Sequence, residues 1–255
     1  MCLLICVRGD DGSMLLAANR DERYDRPARE PFLWPGRARI FAGRDELAGG
    51  TWLAVSGRGV VAAVTNRPTG GGEDPARPTR GELPLLACRS ASAADAKAAL
   101  TAHLAATRYN GFNLFVADAD EAFVIQSPGG ECDAQAVAPG VHVVGNAAWD
   151  DPAGARVARA RAMLAERAVR MPPEGALDEA FERLMHICRD HLPLPGGGGL
   201  CLHGDAAGTV SSTILALGPD RRLMRYAHAP GPPCRAAYRN LAPAARDDVV
   251  QPRGQ

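Results

Sequence analysis

Met1-Cys2-Leu-Leu-Ile-Cys-Val-Arg8, Gly9-Asp-Asp-Gly12 and Ser13-Met-Leu-Leu-Ala-Ala-Asn19-Arg20-Asp21-Glu22 run consecutively at the start of the chain. Two apolar runs separated by a Gly-Asp-Asp-Gly turn signal predict a β-hairpin, and a hairpin brings the outer ends of its strands together. Cys2 is therefore expected beside Asn19, Arg20, Asp21 and Glu22. Cellular aminopeptidases remove an initiator Met when residue 2 is small, so Cys2 is expected to become the first residue. Thiol and free α-amine would then sit on one residue. A thiol of pKa about 8.5 needs a base at neutral pH, and an α-amine of pKa about 7.7 to 8.0 is poised to act as one. Asp21 would orient the amine, and Arg20 would lower the thiol pKa or hold an anionic substrate group. A Cys at position 2 of an apolar strand is, taken alone, most often an inert core thiol; the polar cluster opposite it changes the reading.

Composition narrows the function classes. The 255 residues hold 29 basic and 29 acidic side chains, so the net charge is zero and no basic field points to nucleic acid or an anionic membrane. Lys97 is the only lysine, which sets aside Schiff-base and Ser-Lys chemistry. The seven cysteines (2, 6, 88, 132, 188, 201, 234) include no C-x-x-C pair, so neither a disulfide framework nor a zinc ribbon is implied. The first apolar run is too short for a signal peptide, no eighteen-residue apolar run follows, and a cytoplasmic location is expected. One domain over residues 1–240 is expected, with a disordered tail over 241–255.

Beyond the hairpin, residues 23–36 carry three prolines and are expected as an extended surface segment. Gly49-Gly50-Thr51-Trp52-Leu-Ala-Val predicts a strand whose leading glycines admit another backbone closely; Val60 to Thr65 is its partner and ends at Asn66. Residues 67–80 form a loop long enough to cover a site. Leu83 to Ser90 predicts a short helix, and the Ser92-Ala-Ala-Asp95 capping box a second one to Thr107. Phe112 to Ala117 and Glu121 to Gln126 make a further hairpin. Val141 to Val144 is a strand ending in Gly145-Asn146. Asp151-Pro152 predicts the start of an amphipathic helix with Arg156, Arg159, Glu166 and Arg167 off its apolar stripe. Another helix is expected over 176–191, with Phe181, Leu184 and Cys188 inward, then a glycine connector at 193–199 and a last hairpin of Thr209 to Leu217 with Arg222 to Tyr226. Strands, then helices, then strands, with hairpins throughout, argue for antiparallel α+β layers.

An ordered set of motifs from residue 1 to about 226 resembles the NRDE family, also called the Transport and Golgi organisation protein 2 family: Met1-Cys2, Asn19-Arg20-Asp21-Glu22, Gly49-Gly-Thr-Trp52-Leu, Ala63-Val-Thr-Asn66, Arg80-Gly81-Glu-Leu83, Tyr109-Asn-Gly-Phe-Asn-Leu114, Gly145-Asn146-Ala147 and Ser211-Ser-Thr-Ile-Leu. The resemblance implies a four-layer αββα N-terminal-nucleophile hydrolase sandwich of two antiparallel sheets. More distantly the chain is similar to cysteine-type choloylglycine hydrolases and penicillin acylases. That likeness implies Cys2 as nucleophile and base, Asp21 as the group orienting the amine, and Asn66 with Asn146 as the oxyanion hole. Substrate contacts are expected from Asn19, Arg20, Arg44 and Arg80. Two positions depart from the relatives: Ala18 and Val210 stand where those carry arginine.

Two functions follow. One is amide (carbon-nitrogen) cleavage of a small molecule by acyl transfer to Cys2. The other is a binding or trafficking role with haem or with acyl-coenzyme A and lipids, as the family association implies. Cys188 and His191, with Cys201 and His203 downstream, offer metal-ligand chemistry, but no third ligand has dependable spacing, so no metal and no cofactor is expected. Nucleic-acid partners and a membrane span are not expected, and nothing in the residues fixes an oligomeric state.

Overall fold

The computed structural model describes residues 2–68, 72–194 and 199–242. The opening hairpin forms as β1 (Cys2–Arg8) and β2 (Met14–Arg23), turning through Gly12 at φ 83°, where an added Cβ would meet the Ala119 carbonyl oxygen at 1.9 Å. Only glycine fits there. β3 (Ala28–Leu33), β4 (Phe41–Asp45), β5 (Leu53–Val55) and β6 (Val61–Asn66) follow, then α1 (Glu82–Cys88) and α2 (Ala93–Ala106). The predicted capping box closes as expected, with Ser92 Oγ accepting from the Asp95 N–H at 3.1 Å. β7 (Phe112–Ala117), β8 (Ala122–Ser127), β9 (Asp133–Ala136) and β10 (Gly140–Val144) precede α3 (Ala155–Glu166) and α4 (Leu177–Arg189). The described chain closes with β11 (Ala207–Leu217), β12 (Leu223–Ala229) and β13 (Arg239–Asn240).

These strands build two antiparallel sheets. One runs β10-β1-β2-β11-β12-β13, the other β3-β4-β5-β6-β7-β8-β9. Strand periodicity explains the stacking, because β1 is apolar on both faces. Leu3, Ile5 and Val7 face α3 and α4 with Phe181, Leu184 and Met163. Leu4 and Cys6 face the other sheet, meeting Leu16, Phe41, Phe115, Leu215 and Tyr226. The outer face of the seven-stranded sheet is covered by α1 and α2 through Leu83, Leu85 and Leu100. Three apolar layers thus separate four structural ones: helices, sheet, sheet, helices.

Several local expectations are corrected. Residues 23–36 are not merely extended, since β3 pairs with β4 as an edge strand; its register slips between Arg29 and Phe32, around Pro31, which has no N–H to give the ladder. β9, exposed throughout, lacked the apolar alternation that betrays a strand. α3 starts three residues beyond Pro152, with Gly154 at its N-cap, because Asp151 spends its carboxylate on the Ala153 N–H. Of the expected tail, Leu241 packs against the inter-sheet core and Ala242 is buried, while 243–255 lie outside the described residues. So do Met1, residues 69–71 of the long loop and 195–198 of the glycine connector.

Candidate active site

Register places Cys2 directly opposite Arg20, at the open end of the β1–β2 ladder. A cavity of about 890 Å³ opens there, lined by Cys2, Arg20 and Asp21 from the hairpin, Asp45, Thr51, Trp52 and Asn66 from the seven-stranded sheet, and Glu73 to Arg80 from the long loop. The glycine pair behaves as its sequence predicts: an added Cβ on Gly50 would lie 2.4 Å from the Gly81 carbonyl carbon, and the Thr51 N–H donates to the Gly81 oxygen at 2.8 Å. That close approach seats the loop against the strand and makes one wall.

Asp21 is buried and held by donors from α3 and β11. It is 4% exposed and accepts from Arg156 Nη2 at 2.8 Å and from Thr209 Oγ1 at 2.6 Å. The Thr209 hydroxyl oxygen in turn accepts from the Leu202 N–H at 2.8 Å, which aims its proton at Asp21. Burial pushes the Asp21 carboxyl above its ordinary range, against Arg156 and Thr209, which favour the charged form. Burial likewise raises the Cys2 thiol, while the Asp21 backbone N–H and the Arg20 guanidinium pull it down. A half-buried thiol of this kind needs a base to become a nucleophile.

Arg20 turns the other way across β2. Its guanidinium lies 3.3 Å from Asp45 Oδ2 and 4.3 Å from the centre of the Trp52 ring. Arg26 also reaches Asp45, at 2.7 Å, and the Leu47 and Ala48 N–H groups cap its other oxygen at 3.1 and 2.9 Å. The Asp45 carboxyl is held low by these donors in spite of burial. Strand β11 bulges between Thr209 and Ser211, so that Thr209 lies opposite Asp21 while Ser211 lies opposite Arg20. Val210 is the residue at the bulge, and it lines a shallow recess with Arg20 and Trp52.

The other expected site residues divide. Asn66 lines the cavity at the end of β6, and Asn146 Nδ2 donates to its backbone carbonyl at 2.7 Å. The two asparagines are brought together, although the Asn146 side chain is not among the cavity-lining groups. Arg80 lines the cavity and is bound to the Gly111 carbonyl and to Glu73. Asn19 does not face substrate space: it is 1% exposed and donates to the Cys188 and Leu200 carbonyls at 2.9 and 3.0 Å. Strand alternation sends it, like Asp21, toward the helical layer, and only Asp21 lies far enough out to reach the strand end. Arg44 sits away from the cavity, 3.6 Å from Glu46 and over Trp34.

Sequence reasoning missed Arg156, Asp45 and Thr209. Arg156 was expected on the solvent face of its helix. One signal was there to be used: an arginine in the first turn of α3, with no acidic residue beside it, opposes the helix dipole unless a carboxylate from elsewhere draws it in.

The chain matches the family model described as Transport and Golgi organisation 2 over residues 1–217. It is 38% identical over 153 residues to the Transport and Golgi organization protein 2 homolog of Bos taurus, covering 54% of this chain and 52% of that protein. It is 34% identical over 149 residues to the Mus musculus homolog, with the same coverage. The matched stretch thus spans about half the length of these curated relatives. Among solved structures, it is similar to a Caenorhabditis elegans N-acylethanolamine-hydrolyzing acid amidase ortholog, with a TM-score of 0.56 at 16% identity over 86% of this chain and 93% of that one. It also resembles a mutant of the conjugated bile acid hydrolase of Clostridium perfringens (0.51, 8%, covering 94% and 96%) and the penicillin V acylase of Agrobacterium tumefaciens (0.51, 12%, covering 90% and 83%). At these identities the structural likeness shows the fold, the N-terminal-nucleophile hydrolase sandwich.

Proposed function

The chain belongs to the Transport and Golgi organisation 2 family, and from that premise we propose that it is a cysteine-type N-terminal-nucleophile hydrolase that cleaves the carbon-nitrogen bond of a small amide. The observation that carries this reading is the convergence of Cys2 and a gripped, buried Asp21 on one cavity at the end of the first hairpin.

Once Met1 is removed, the Cys2 α-amine takes the thiol proton and the sulfur attacks the substrate carbonyl carbon. Asp21 faces the ammonium that results and holds it in place. The Asn66 side chain, with the Asn146 amide behind it, stabilises the tetrahedral oxyanion. The ammonium then returns its proton to the leaving amine as the carbon-nitrogen bond breaks. Water attacks the thioester that remains, the amine again acting as base, and the free acid leaves.

The substrates named for the structural neighbours, acylethanolamines, bile-acid conjugates and penicillin V, share an amide that joins an acyl group to a polar amine or amino acid. The same class fits here. The cavity walls are charged, with Arg20, Arg26, Arg77 and Arg80 facing Glu22, Asp45, Glu73 and Asp74, and among the described residues Trp52 is the one aromatic in the lining. Such walls suit the polar half of an N-acyl amino acid better than a haem macrocycle, which needs broad apolar faces. A carrier role for haem or acyl-coenzyme A would use the cavity without the chemistry, and a retained Met1 would favour it by blocking the amine.

The test is release of primary amine from a panel of N-acyl amino acids and N-acylethanolamines. Turnover by the processed chain, abolished in Cys2→Ala, supports the proposal. A processed chain inert across the panel, or a Cys2→Ala variant as active as the parent, would refute it.

A further inference from the structure

Outside the cavity, four metal-ligating side chains from three separate segments converge behind the helical face of the six-stranded sheet. Cys201 Sγ lies 3.7 Å from Cys234 Sγ and 3.7 Å from His203 Nε2. His203 Nε2 lies 3.2 Å from Cys234 Sγ. His191 completes the group: its ring centre is 5.8 Å from that of His203, and ligand atoms of His191, His203 and Cys234 fall within 4.8 Å of one another. From these distances we infer that His191, Cys201, His203 and Cys234 form a structural zinc site.

The spacing among Cys201, His203 and Cys234 matches one face of a tetrahedron, with His191 approaching His203 and Cys234. Zinc sits about 2.3 Å from sulfur and about 2.0–2.1 Å from imidazole nitrogen, so the edges of a tetrahedral site are about 3.8 Å between two sulfurs and about 3.6 Å between sulfur and nitrogen. All three measured separations lie within a few tenths of an ångström of those edges. The donor set also suits the ion: two thiolates and two neutral imidazoles cancel its charge and leave no open position, the composition of structural sites. His191 Nδ1 lies 3.0 Å from the Arg189 carbonyl, the outer-shell hydrogen bond that orients a ligating imidazole and leaves Nε2 for the metal. Binding releases the two thiol protons to solvent and involves no change of oxidation state.

Position gives the site a purpose. Cys201 and His203 flank Leu202, whose N–H orients the Thr209 hydroxyl toward Asp21. The Gly199 and Leu200 carbonyls, just before, accept from Arg156, the other partner of Asp21. A metal clamped on this loop would fix both groups that grip Asp21. The inference itself does not rest on amidase activity, because metal content is read directly.

The experiment uses the untagged full chain, purified under reductant, loaded with zinc sulfate and desalted. Elemental analysis should find about one zinc per chain, as one four-ligand site requires. Cys234→Ser and His191→Gln, both toward the surface, should weaken zinc affinity by roughly tenfold or more, since loss of an outer-shell partner alone costs that much; Cys132→Ser, far from the cluster, should change nothing. Cobalt in place of zinc should give the visible bands of a tetrahedral ion and a thiolate charge-transfer absorption, both lost in the Cys201→Ser/Cys234→Ser double variant. Wild-type zinc uptake no greater than that of the double variant, with circular dichroism showing both folded, would overturn the site. So would a Cys201–Cys234 disulfide persisting in the zinc-treated, reduced protein.

Discussion

At the scale of single residues, Asp21 shows how the site is held. Its side chain is 3% exposed and its cationic partner Arg156 only 17% exposed, so removing the guanidinium takes a charge-balancing partner from a buried carboxylate. Breaking a buried pair in this way costs about 3–5 kcal/mol. Arg156→Met should therefore lower the unfolding free energy read from urea titration by an amount of that order, and the double variant Arg156→Met/Asp21→Asn should recover most of it. Equal losses in the single and double variants would mean that the pair is not coupled. The residues themselves show what was legible in sequence. The hairpin pattern placed Cys2 beside Asn19, Arg20, Asp21 and Glu22, and the register sets it opposite Arg20. The same motif reading grouped Asn19 with Arg20 as substrate contacts, which fails for Asn19 because successive residues of a strand face opposite layers. Cys188 offered metal-ligand chemistry beside His191, but its expected inward position on α4 holds, with the apolar core around it, and Cys234, a long way down the chain, lies in the cluster instead.

At the scale of elements, the β11–β12 pair carries a buried titratable group. His228 is 1% exposed, its Nδ1 is 2.9 Å from Thr213 Oγ1, and burial, helped by Arg239, pushes its pKa down to about 4. In the unfolded chain it titrates near 6.5. Between those values the unfolded state binds the proton and the folded state does not, so this contribution to stability is complete above pH 6.5 and is lost as pH falls toward about 4. At about 1.4 kcal/mol per unit, the loss is on the order of 3 kcal/mol. Unfolding free energies followed from pH 7 to pH 4 should show wild type losing about that much more than His228→Gln, a flat difference being the contrary result. Elements with strong periodicity or caps, such as α2 and the β7–β8 hairpin, were readable because local chemistry decides them. β9 and the start of α3 were not, since pairing with β8 and the turn at Asp151 to Gly154 decide those.

At the scale of the whole molecule, the sheets adhere through one continuous apolar layer, with Phe41 and Tyr226 meeting edge to face at 5.0 Å across it. The antiparallel α+β composition was legible because strands, then helices, then strands follow one another with hairpins throughout. Which strands join which sheet was not, since β10 adds to the edge of β1 across about half of the sequence. Leu16 is wholly buried in this layer. Leu16→Ala should cost about 2–5 kcal/mol, and the chain should still unfold in one transition, as sheets that share a core must. Two separated transitions would show that the sheets are independent units. Among the described residues no helix is long and apolar enough to cross a membrane.

The central claim is that Cys2, freed at its amine and faced by Asp21, is the nucleophile. Intact mass followed by peptide mapping after treatment with an acylating β-lactone reads it most directly. The account predicts a chain lacking Met1, one thioester on Cys2 formed ahead of any adduct on the exposed Cys132, and slower acylation in Asp21→Asn. A chain that keeps Met1, or a Cys132 adduct with Cys2 untouched, would contradict it.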